Sequence, residues 1–357
     1  AVDPSEDELL QQQLEEQQAE AQRMHEEDEK AKVQQMYARF RRSQEARSHM
    51  EEKWATIDEF DRGEQWKNAN IPPWIPKPVT NFIRYYRTLK RANLASAVSR
   101  PTFEPLDPAD IEYIAKLQAA HDHVWDIEAV PRKVRKSIDR ALNNGTSVAM
   151  VYTDDSFVGG KYYPEIPIAH PSMPGQAMIG PDGRPMTRPD ERTKLYQGKI
   201  CVKNYSIANF FPDPDAYRLE DCKFVETTEI VAFNTVKNNK VFREYAGDKL
   251  VNAEGPRPDT DDSASGDIYA RDYKVTDSAG GEPGDEIVTL HTHYERYLNE
   301  QGKWQLDITY YLRDPDMILL RLTDVKPNEY PFAVYYDEEE ENAFWGTSQA
   351  MTGLLES

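Results

Sequence analysis

The 357-residue sequence has only two cysteines, no long apolar run and a deficit of positive charge. Cys201 and Cys222 are too few for a disulfide framework, so we expect two reduced, partly buried thiols, with a single disulfide as the alternative. No uninterrupted apolar stretch approaches the roughly 20 residues of a membrane helix, and no hydrophobic N-terminal signal is present. We therefore expect a soluble protein with no visible signal for secretion.

The charge balance is strongly acidic. Against 43 Lys and Arg residues stand 63 Asp and Glu residues, which gives a formal net charge of −20. Such an excess repels nucleic acid at long range and argues against a sequence-reading DNA-binding domain. It does not exclude a protein that encloses DNA without gripping it. Because exposed charges act over only about 8 Å at physiological salt, local basic patches can still matter.

The sequence also lacks the common signatures of catalysis. Gly159-Gly160-Lys161 and Gly280-Gly281 do not have the spacing of a phosphate-binding loop, and no Gly-x-Ser-x-Gly elbow occurs. His291 and His293 alternate in a predicted strand, so both imidazoles point to one face and could bind a metal together with Glu295. We favour the interpretation that these histidines are surface polar residues on an exposed strand face.

Residues 1–53 are rich in Gln and Glu and nearly free of Gly and Pro. They predict a long solvated helix with a partly flexible start and a second half anchored through Val33, Met36, Tyr37 and Phe40. A plain solvated arm and an arm that wraps a neighbouring subunit both fit this composition. The aromatic and proline-rich stretch that follows, residues 54–78, should pack as an ordered belt, with an aromatic cage for a ligand as the alternative.

Three further helices are predicted within residues 54–150. The first follows Asn81 and carries Phe82, Tyr86 and Leu89 at helical spacing. The second begins at an Asp107 N-cap. The third opens near Pro131 and ends at Asn143-Asn144-Gly145, because glycine supplies the left-handed conformation that stops a helix. The run 146–152 then predicts a strand, and we assign residues 54–150 to one helical part of the fold.

Residues 151–336 predict a mostly antiparallel β domain. Short β-rich runs separated by Pro, Gly and Asp indicate strands at 199–205, 224–231, 241–245, 287–297, 304–312, 318–325 and 332–336. Residues 164–190 read as a long surface loop with a small hairpin at Pro181-Asp182-Gly183, and residues 254–286 as an insertion that is either mobile or ordered only against a partner. The fold class is therefore α+β, with a helical N-terminal part followed by a β domain.

The final segment, residues 337–357, predicts an acidic run followed by a helix that Thr347 or Ser348 caps. The acidic run consists of Asp337, Glu338, Glu339, Glu340 and Glu341. Mg²⁺ could bind there, but runs of carboxylates are usually solvated faces. Because the apolar face of the helix is still developing at Ser357, we expect the natural protein to continue beyond it.

The predicted helix that opens near Pro131 carries a basic cluster, which is the main candidate for contacts with other molecules. It consists of Arg132, Lys133, Arg135, Lys136 and Arg140. These residues could contact phosphate. The acidic composition favours pairing with a neighbouring subunit instead, for which the acidic run at 337–341 is the candidate partner surface.

The order of these pieces resembles the portal, or head-to-tail connector, proteins of tailed bacteriophages, most closely the large portals of short-tailed phages. The motifs that carry the resemblance are Phe60-Asp61-Arg62-Gly63-Glu64-Gln65-Trp66, Pro78-Val79-Thr80-Asn81, Arg100-Pro101 before Pro105-Leu106-Asp107, Ala141-Leu142-Asn143-Asn144-Gly145-Thr146-Ser147-Val148, Asn209-Phe210-Phe211-Pro212-Asp213-Pro214, Tyr330-Pro331-Phe332 and Gly346-Thr347-Ser348. They cover most of residues 54–357. The Gln/Glu-rich arm and the 254–286 insertion have no counterpart in the resemblance.

The resemblance implies a ring, usually of twelve subunits, at one capsid vertex. Double-stranded DNA would pass through it during packaging and ejection without being read. The expected partners are other copies of the chain, the terminase motor, the major capsid and scaffolding proteins, and tail or adaptor proteins. No enzymatic activity and no cofactor are implied, and no membrane partner is expected.

The resemblance also implies where the parts of this chain would lie. Residues 54–336 would form the wing, and the helix near Ser348 would begin the stem, with stem, clip and crown beyond Ser357. No channel-lining residue is assigned. The protein would reside in the virion, at the capsid vertex, and in the host cytoplasm during assembly. Two alternatives stay open: a metal-dependent hydrolase built on His291, His293 and Glu295, and another phage head or tail adaptor.

Overall fold

The computed structural model shows an α+β fold with antiparallel sheets, as the sequence predicts. It describes residues 6–67, 70–72, 74–96, 98–107, 110–154, 161–162, 165–167, 187–189, 195–196, 199–253, 287–349 and 351–352. The hairpin expected at Pro181-Asp182-Gly183 and the insertion expected at 254–286 lie outside these residues. The chain divides into two compact units: unit 1 (Ala1–Val98, Val134–Val148 and Asn204–Ser357) and unit 2 (Ser99–Lys133 and Ala149–Lys203).

Helices lead the chain and strands follow. The helices are α1 (Glu6–Arg62), α2 (Phe82–Ser96), α3 (Ile111–Ile127), α4 (Val130–Asn144), α5 (Phe233–Asn238), α6 (Lys240–Ala246) and α7 (Asp248–Asn252). The strands are β1 (Thr146–Asp154), β2 (Lys161–Tyr162), β3 (Glu165–Pro167), β4 (Thr187–Pro189), β5 (Leu195–Tyr196), β6 (Lys199–Tyr205), β7 (Phe210–Pro212), β8 (Phe224–Ala232), β9 (Ile287–Leu298), β10 (Trp304–Leu312), β11 (Met317–Leu322) and β12 (Phe332–Tyr336).

A five-stranded antiparallel sheet is the largest β element of unit 1. Its strand order is β11-β10-β9-β8-β7. A three-stranded sheet has the order β12-β1-β6, and two small antiparallel pairs join β2 to β5 and β3 to β4. The predicted strands at 199–205, 224–231, 287–297, 304–312 and 332–336 are confirmed.

Two element predictions are corrected. Residues 241–245, predicted as a strand, form α6, because the Asn239 side chain accepts the backbone N–H groups of Val241 and Phe242 and so caps a helix. Helix α3 begins later than predicted: Asp110, not Asp107, is the residue before its first turn. The Asp107 carbonyl instead accepts the Asp110 N–H at 3.0 Å in a preceding turn.

A single stripe along α1 anchors this helix on the five-stranded sheet and, through Trp54, on Asn144 and Trp345. Its buried positions alternate in steps of three and four and are Val33, Met36, Phe40, Ser43, Arg47, Met50, Trp54 and Ile57. Because an α-helix has about 3.6 residues per turn, such side chains share one face. The anchored half predicted around Val33 to Phe40 is confirmed, and the buried stripe continues to Ile57.

The two polar members of the stripe are hydrogen-bonded to backbone carbonyls beside β7. Ser43 Oγ donates to the Pro212 carbonyl at 2.6 Å. The Arg47 guanidinium donates to the Phe210 carbonyl at 2.8 Å and pairs with Glu51 at 2.5 Å. A buried cation is tolerated only with such partners. Helix α1 is therefore held to the sheet by specific hydrogen bonds as well as by apolar packing.

The predicted boundary between residues 53 and 54 falls inside α1. The helix continues to Arg62 and ends at Gly63, which has a φ of +81°. Trp54 therefore belongs to the buried stripe and not to a connector. The prediction of an aromatic belt is wrong for Trp74, which is 81 % exposed. The prolines around it restrict the backbone, but no other aromatic ring of the described residues packs against it.

Close contact between two glycines joins distant segments of unit 1. A Cβ on Gly145 would lie 2.1 Å from the Gly346 carbonyl oxygen, and one on Gly346 would lie 2.6 Å from the Glu338 carbonyl oxygen. The Asp337 N–H donates to the Gly145 carbonyl at 2.9 Å, and the Gly346 N–H donates to Thr146 Oγ1 at 2.9 Å. The end of α4, the end of β12 and the segment after Gly346 are thus fixed together.

Replacing Gly145 tests this close approach. Gly145→Ala should lower the free energy of unfolding by roughly 3 kcal/mol or more, because the methyl group overlaps a backbone oxygen and φ is +76°. Gly302→Ala is the matched control, since Gly302 has a φ of +71° and open space around its Cβ. It should cost only about 1–2 kcal/mol. Equal losses in urea denaturation would show that the contact between glycines is unimportant.

Unit 2 holds a buried carboxylate between two lysines. Glu128 accepts from Lys133 Nζ at 2.6 Å and lies 2.5 Å from Lys199 Nζ. The Val202 backbone N–H donates to the same carboxylate at 3.2 Å. Lys133 first, and then Lys199, lower the pKa of Glu128 from 4.5 to about 2.

This lowered pKa predicts a pH-dependent stability. The ionised carboxylate stabilises the fold fully above pH 4.5, and that contribution disappears as the pH falls towards about 2. Glu128→Gln should therefore lower the free energy of unfolding by roughly 2–3 kcal/mol at about pH 7 and by less at about pH 3, measured by urea denaturation. Glu112→Gln, at an exposed pair with Lys116, should change little at either pH. A loss that does not vary with pH contradicts the assignment.

Candidate functional site

Helix α2 is attached to the rest of unit 1 by its charged side chains. The ion pairs are Arg87 with Asp61 (3.1 Å), Lys90 with Asp337 (2.6 Å) and Arg91 with Asp139 (3.2 Å). Arg87 also donates to the Asn143 side chain. No residue of α2 is buried. The inward-facing side of this helix is therefore basic.

Four large side chains of α2 are extensively exposed. Phe82 is 73 %, Tyr85 71 %, Tyr86 47 % and Leu89 52 % exposed. Their spacing of i, i+3, i+4 and i+7 puts them on one side of the helix, which we call the α2 apolar face. An amphipathic surface helix normally buries that side and exposes its charges. In α2 the usual arrangement is reversed.

A pocket of about 270 Å³ opens beside the α2 apolar face. Its walls include Phe82, Ile83, Tyr86, Lys90, Leu142 and Asp337. The Tyr86 hydroxyl donates to the Gln349 side chain at its edge. The space is small for a cofactor and suits one or two apolar side chains of another polypeptide. Face and pocket together form the candidate interaction surface.

Two of the five residues in the predicted basic cluster on α4 bind other groups of the chain, and three are exposed. Lys133 binds Glu128 within unit 2, and Arg140 donates to the Tyr205 carbonyl at 2.8 Å within unit 1. Both side chains are used inside the chain.

Arg132, Arg135 and Lys136, the other members of the basic cluster, are exposed. Arg135 and Lys136 lie one helical turn before Asp139, on the side of α4 that binds α2. That these exposed residues contact a neighbour or a phosphate stays a prediction.

The predicted acidic run contains two residues with structural contacts and three that are exposed. The Asp337 side chain is 5 % exposed, binds Lys90 and accepts the Gln349 N–H at 3.3 Å, so it is a structural residue. The Glu338 backbone pairs with Thr347. The remaining acidic residues, Glu339, Glu340 and Glu341, are exposed, with Glu339 3.4 Å from Arg218.

The Ser348 residue proposed as a helix cap fulfils that role. Its Oγ accepts the Met351 N–H at 3.2 Å, and residues 351–352 are helical.

A buried carboxylate organises the two histidines of β9. Glu226 of β8 is completely buried and accepts from His291 Nδ1 at 2.8 Å and from His293 Nδ1 at 3.1 Å. The Tyr311 hydroxyl donates to the same carboxylate. Because an ionised carboxylate only accepts hydrogen bonds, both imidazoles carry their proton on Nδ1. We call these four residues the Glu226 cluster.

Hydrogen bonding, not exposure to water, keeps Glu226 ionised. Burial opposes ionisation, but the hydrogen bonds from His291 and His293 outweigh it and hold the pKa of the carboxyl below its usual value. Burial, together with the adjacent carboxylate, raises the pKa of Tyr311 well above its usual value. Tyr311 therefore stays a neutral donor at physiological pH.

The Glu226 cluster corrects the interpretation of His291 and His293. Both are 2 % exposed, because α1 covers this face of β9: the Phe40 ring lies 4.9 Å from that of His291. Glu295 pairs with Arg39 of α1 at 2.7 Å instead of joining the histidines. Arg39 also lies 3.4 Å from His293 Nε2.

The proposed metal site is not assembled. Both Nδ1 atoms are bound to Glu226, and no group of three or more His, Cys, Asp or Glu side chains within the described residues could hold a metal ion. Neither Glu226 nor Tyr311 is among the site residues predicted from the sequence. A single Glu in the otherwise apolar or Thr-containing start of β8 is the signal that could have identified the carboxylate.

Removing the negative charge of Glu226 tests its role in holding the sheet and α1 together. Glu226→Gln should lower the free energy of unfolding by roughly 3 kcal/mol, because an amide cannot accept from all three buried donors. Glu220→Gln, at an exposed position, is the matched control and should change it by less than about 0.5 kcal/mol. Equal unfolding midpoints for the two variants in guanidinium chloride would refute the role of the cluster.

Comparison with models of known protein families finds no match, and no curated protein matches the sequence. Both cysteines are free, as the sequence predicts. Among the described helices, none combines the length and the apolar character needed to cross a membrane.

Proposed function

We propose that this chain is a subunit of a portal-like ring at one vertex of a phage capsid. Copies of the chain would close side by side around a passage for double-stranded DNA, which enters during packaging and leaves during ejection. The terminase motor and the tail would dock on this ring. The observation that carries the proposal is the α2 apolar face, which the described part of the chain leaves uncovered.

The attachment of α2 explains why this face suits assembly. The ion pairs of Arg87, Lys90 and Arg91 fix the helix in place before any partner arrives. A preorganised apolar face loses little conformational freedom on binding, so more of the burial energy appears as affinity. Four adjacent large side chains, three of them aromatic, have the composition of an interface hot spot.

The charge of the chain fits a passage that DNA moves through. Each copy carries a formal charge of −20, so a ring would repel phosphates at long range. Tight phosphate binding would slow translocation by about tenfold for every 1.4 kcal/mol of added barrier. Weak contact with DNA is therefore an advantage for this function.

The hydrolase alternative draws no support from the positions of its residues. His291 and His293 lie beneath α1 and hydrogen-bond to Glu226, while Glu295 binds Arg39. A substrate would have to displace a buried ionic cluster to reach either imidazole. We therefore retain the assembly function.

The α2 apolar face predicts how assembly can be blocked. The double variant Tyr85→Glu/Leu89→Glu should raise the concentration at half-assembly at least about 100-fold, since assembly would bury two unpaired carboxylates. Mass photometry and negative-stain images of the full chain report this, and the parent should show rings with a central hole.

A matched control separates the interface from a general effect of added charge. Val241 and Tyr245 of α6 are 52 % and 47 % exposed, so Val241→Glu/Tyr245→Glu adds the same charges to another exposed apolar surface. This variant should assemble like the parent. Closed rings from the α2 variant, or a parent that stays monomeric at every concentration, would overturn the proposal. Small rings without a channel would point to a head-tail adaptor.

A further inference from the structure

The first part of α1 precedes the anchoring contacts that the structure describes for this helix. The helix is continuous from Glu6, and among its described side chains the buried stripe begins at Val33 and the first ion pair to another element joins Glu26 to Lys249. We call residues 6–25 the arm. At about 1.5 Å per residue the arm is about 30 Å long. Met24, near its end, is 65 % exposed.

The composition of the arm is acidic with three leucines. Residues 6–25 contain six Asp or Glu residues against one Arg, and the leucines are Leu9, Leu10 and Leu14. An isolated helix of this length without tertiary contacts is only marginally stable in water. A partner surface that is basic and apolar would therefore stabilise the arm.

The α2 apolar face has a basic edge. Helix α2 contains no acidic residue, and three of its four basic residues (Arg87, Lys90 and Arg91) are paired inside unit 1. The Arg84 side chain, at the edge of the face, makes no ion pair with the described part of the chain. Arg135 and Lys136 of α4 extend this basic surface beyond α2, and they too are exposed. The chain has a net charge of −20, so most of its surface repels an acidic segment. The exposed basic residues beside α2 would instead attract one.

The arm cannot reach α2 of its own chain. Asp61, at the other end of α1, is the residue that binds Arg87 of α2. Because Met24 and Asp61 belong to one continuous helix, they lie about 55 Å apart along its axis. The arm therefore points away from its own α2, and only the α2 of a second copy is accessible to it.

We propose that the acidic arm of one copy binds the α2 apolar face of the next copy, with its leucines against Phe82, Tyr85, Tyr86 and Leu89 or in the adjoining pocket. This inference deepens the proposed function and rests on it. The arm is longer than α2, which spans about 22 Å, so one arm can cover the whole face. Such a contact joins two different surfaces of the subunit, and its repetition gives a ring where the rotation between successive copies closes.

Cross-linking of the full chain tests the contact directly. Two preparations carry Cys201→Ser; one adds Leu14→Cys and the other Tyr85→Cys, with tags of different size. Cys222 can remain, because it is buried and burial raises the pKa of its thiol to about 12. After mixing, a short thiol-to-thiol cross-linker should join the two differently tagged chains. The control pair replaces Tyr85→Cys with Tyr245→Cys, and its yield should be at least about tenfold lower.

A second measurement tests the role of charge. Changing the six acidic residues of the arm to Gln or Asn should raise the concentration at half-assembly about tenfold and weaken its dependence on salt. Glu300→Gln/Glu329→Gln, on exposed positions elsewhere, should change neither quantity.

The outcomes separate this inference from the proposed function. Rings that form without arm-to-α2 cross-links overturn the inference and leave the proposed function standing. A cross-link from Tyr85→Cys to Glu340→Cys would assign the face to the acidic run instead. Rings without the cross-link, whose binding to duplex DNA is lost in Arg84→Glu, would assign the face to nucleic acid and also overturn the inference. A chain that is monomeric at every concentration refutes both.

Discussion

The ion pairs that hold α2 are the constraint on which the proposed assembly surface depends. Arg87, Lys90 and Arg91 bind carboxylates of α1, α4 and the end of β12, so the basic side of the helix must face inward. On an α-helix the opposite side then faces outward, whatever its composition. Here that side carries three aromatic residues and a leucine. The α2 apolar face is therefore exposed because the polar partners of the helix lie on its other side. These partners are Asp61, Asp139, Asp337 and Asn143.

The positions of those partners depend in turn on backbone packing. The close approach of Gly145 and Gly346 brings the end of α4 against the segments at Asp337 and Ser348. Asn143 and Asp337, which bind Arg87 and Lys90, lie directly beside these contacts. A side chain at either glycine would separate the segments and displace the groups that orient α2. Local backbone sterics in this way determine which surface is offered for assembly.

A second buried ionic arrangement determines the direction of α1. The Glu226 cluster lies under Phe40, and Arg39 of α1 reaches Glu295 and His293 at the edge of the same cluster. Buried polar groups tolerate little displacement, because each lost hydrogen bond leaves an uncompensated donor or acceptor. Together with the carbonyl contacts of Ser43 and Arg47, they fix the register of the helix on the sheet. Because α1 is one continuous helix, these contacts also set the direction of its first part.

Local periodicity determined much of the fold from the sequence alone. The spacing of apolar residues identified α2 and the anchored start of α1, Gly145 marked the end of α4, and β-rich runs located β8, β9 and β10. These features depend on the preferences of neighbouring residues. A local signal was missed at residues 241–245, which are helical because the Asn239 side chain caps them, an effect that a count of β-forming residues does not register. Tertiary structure decided which side of α2 faces outward and that His291 and His293 are buried, because each depends on partners distant in sequence (Asp337 for α2, Glu226 and α1 for the histidines).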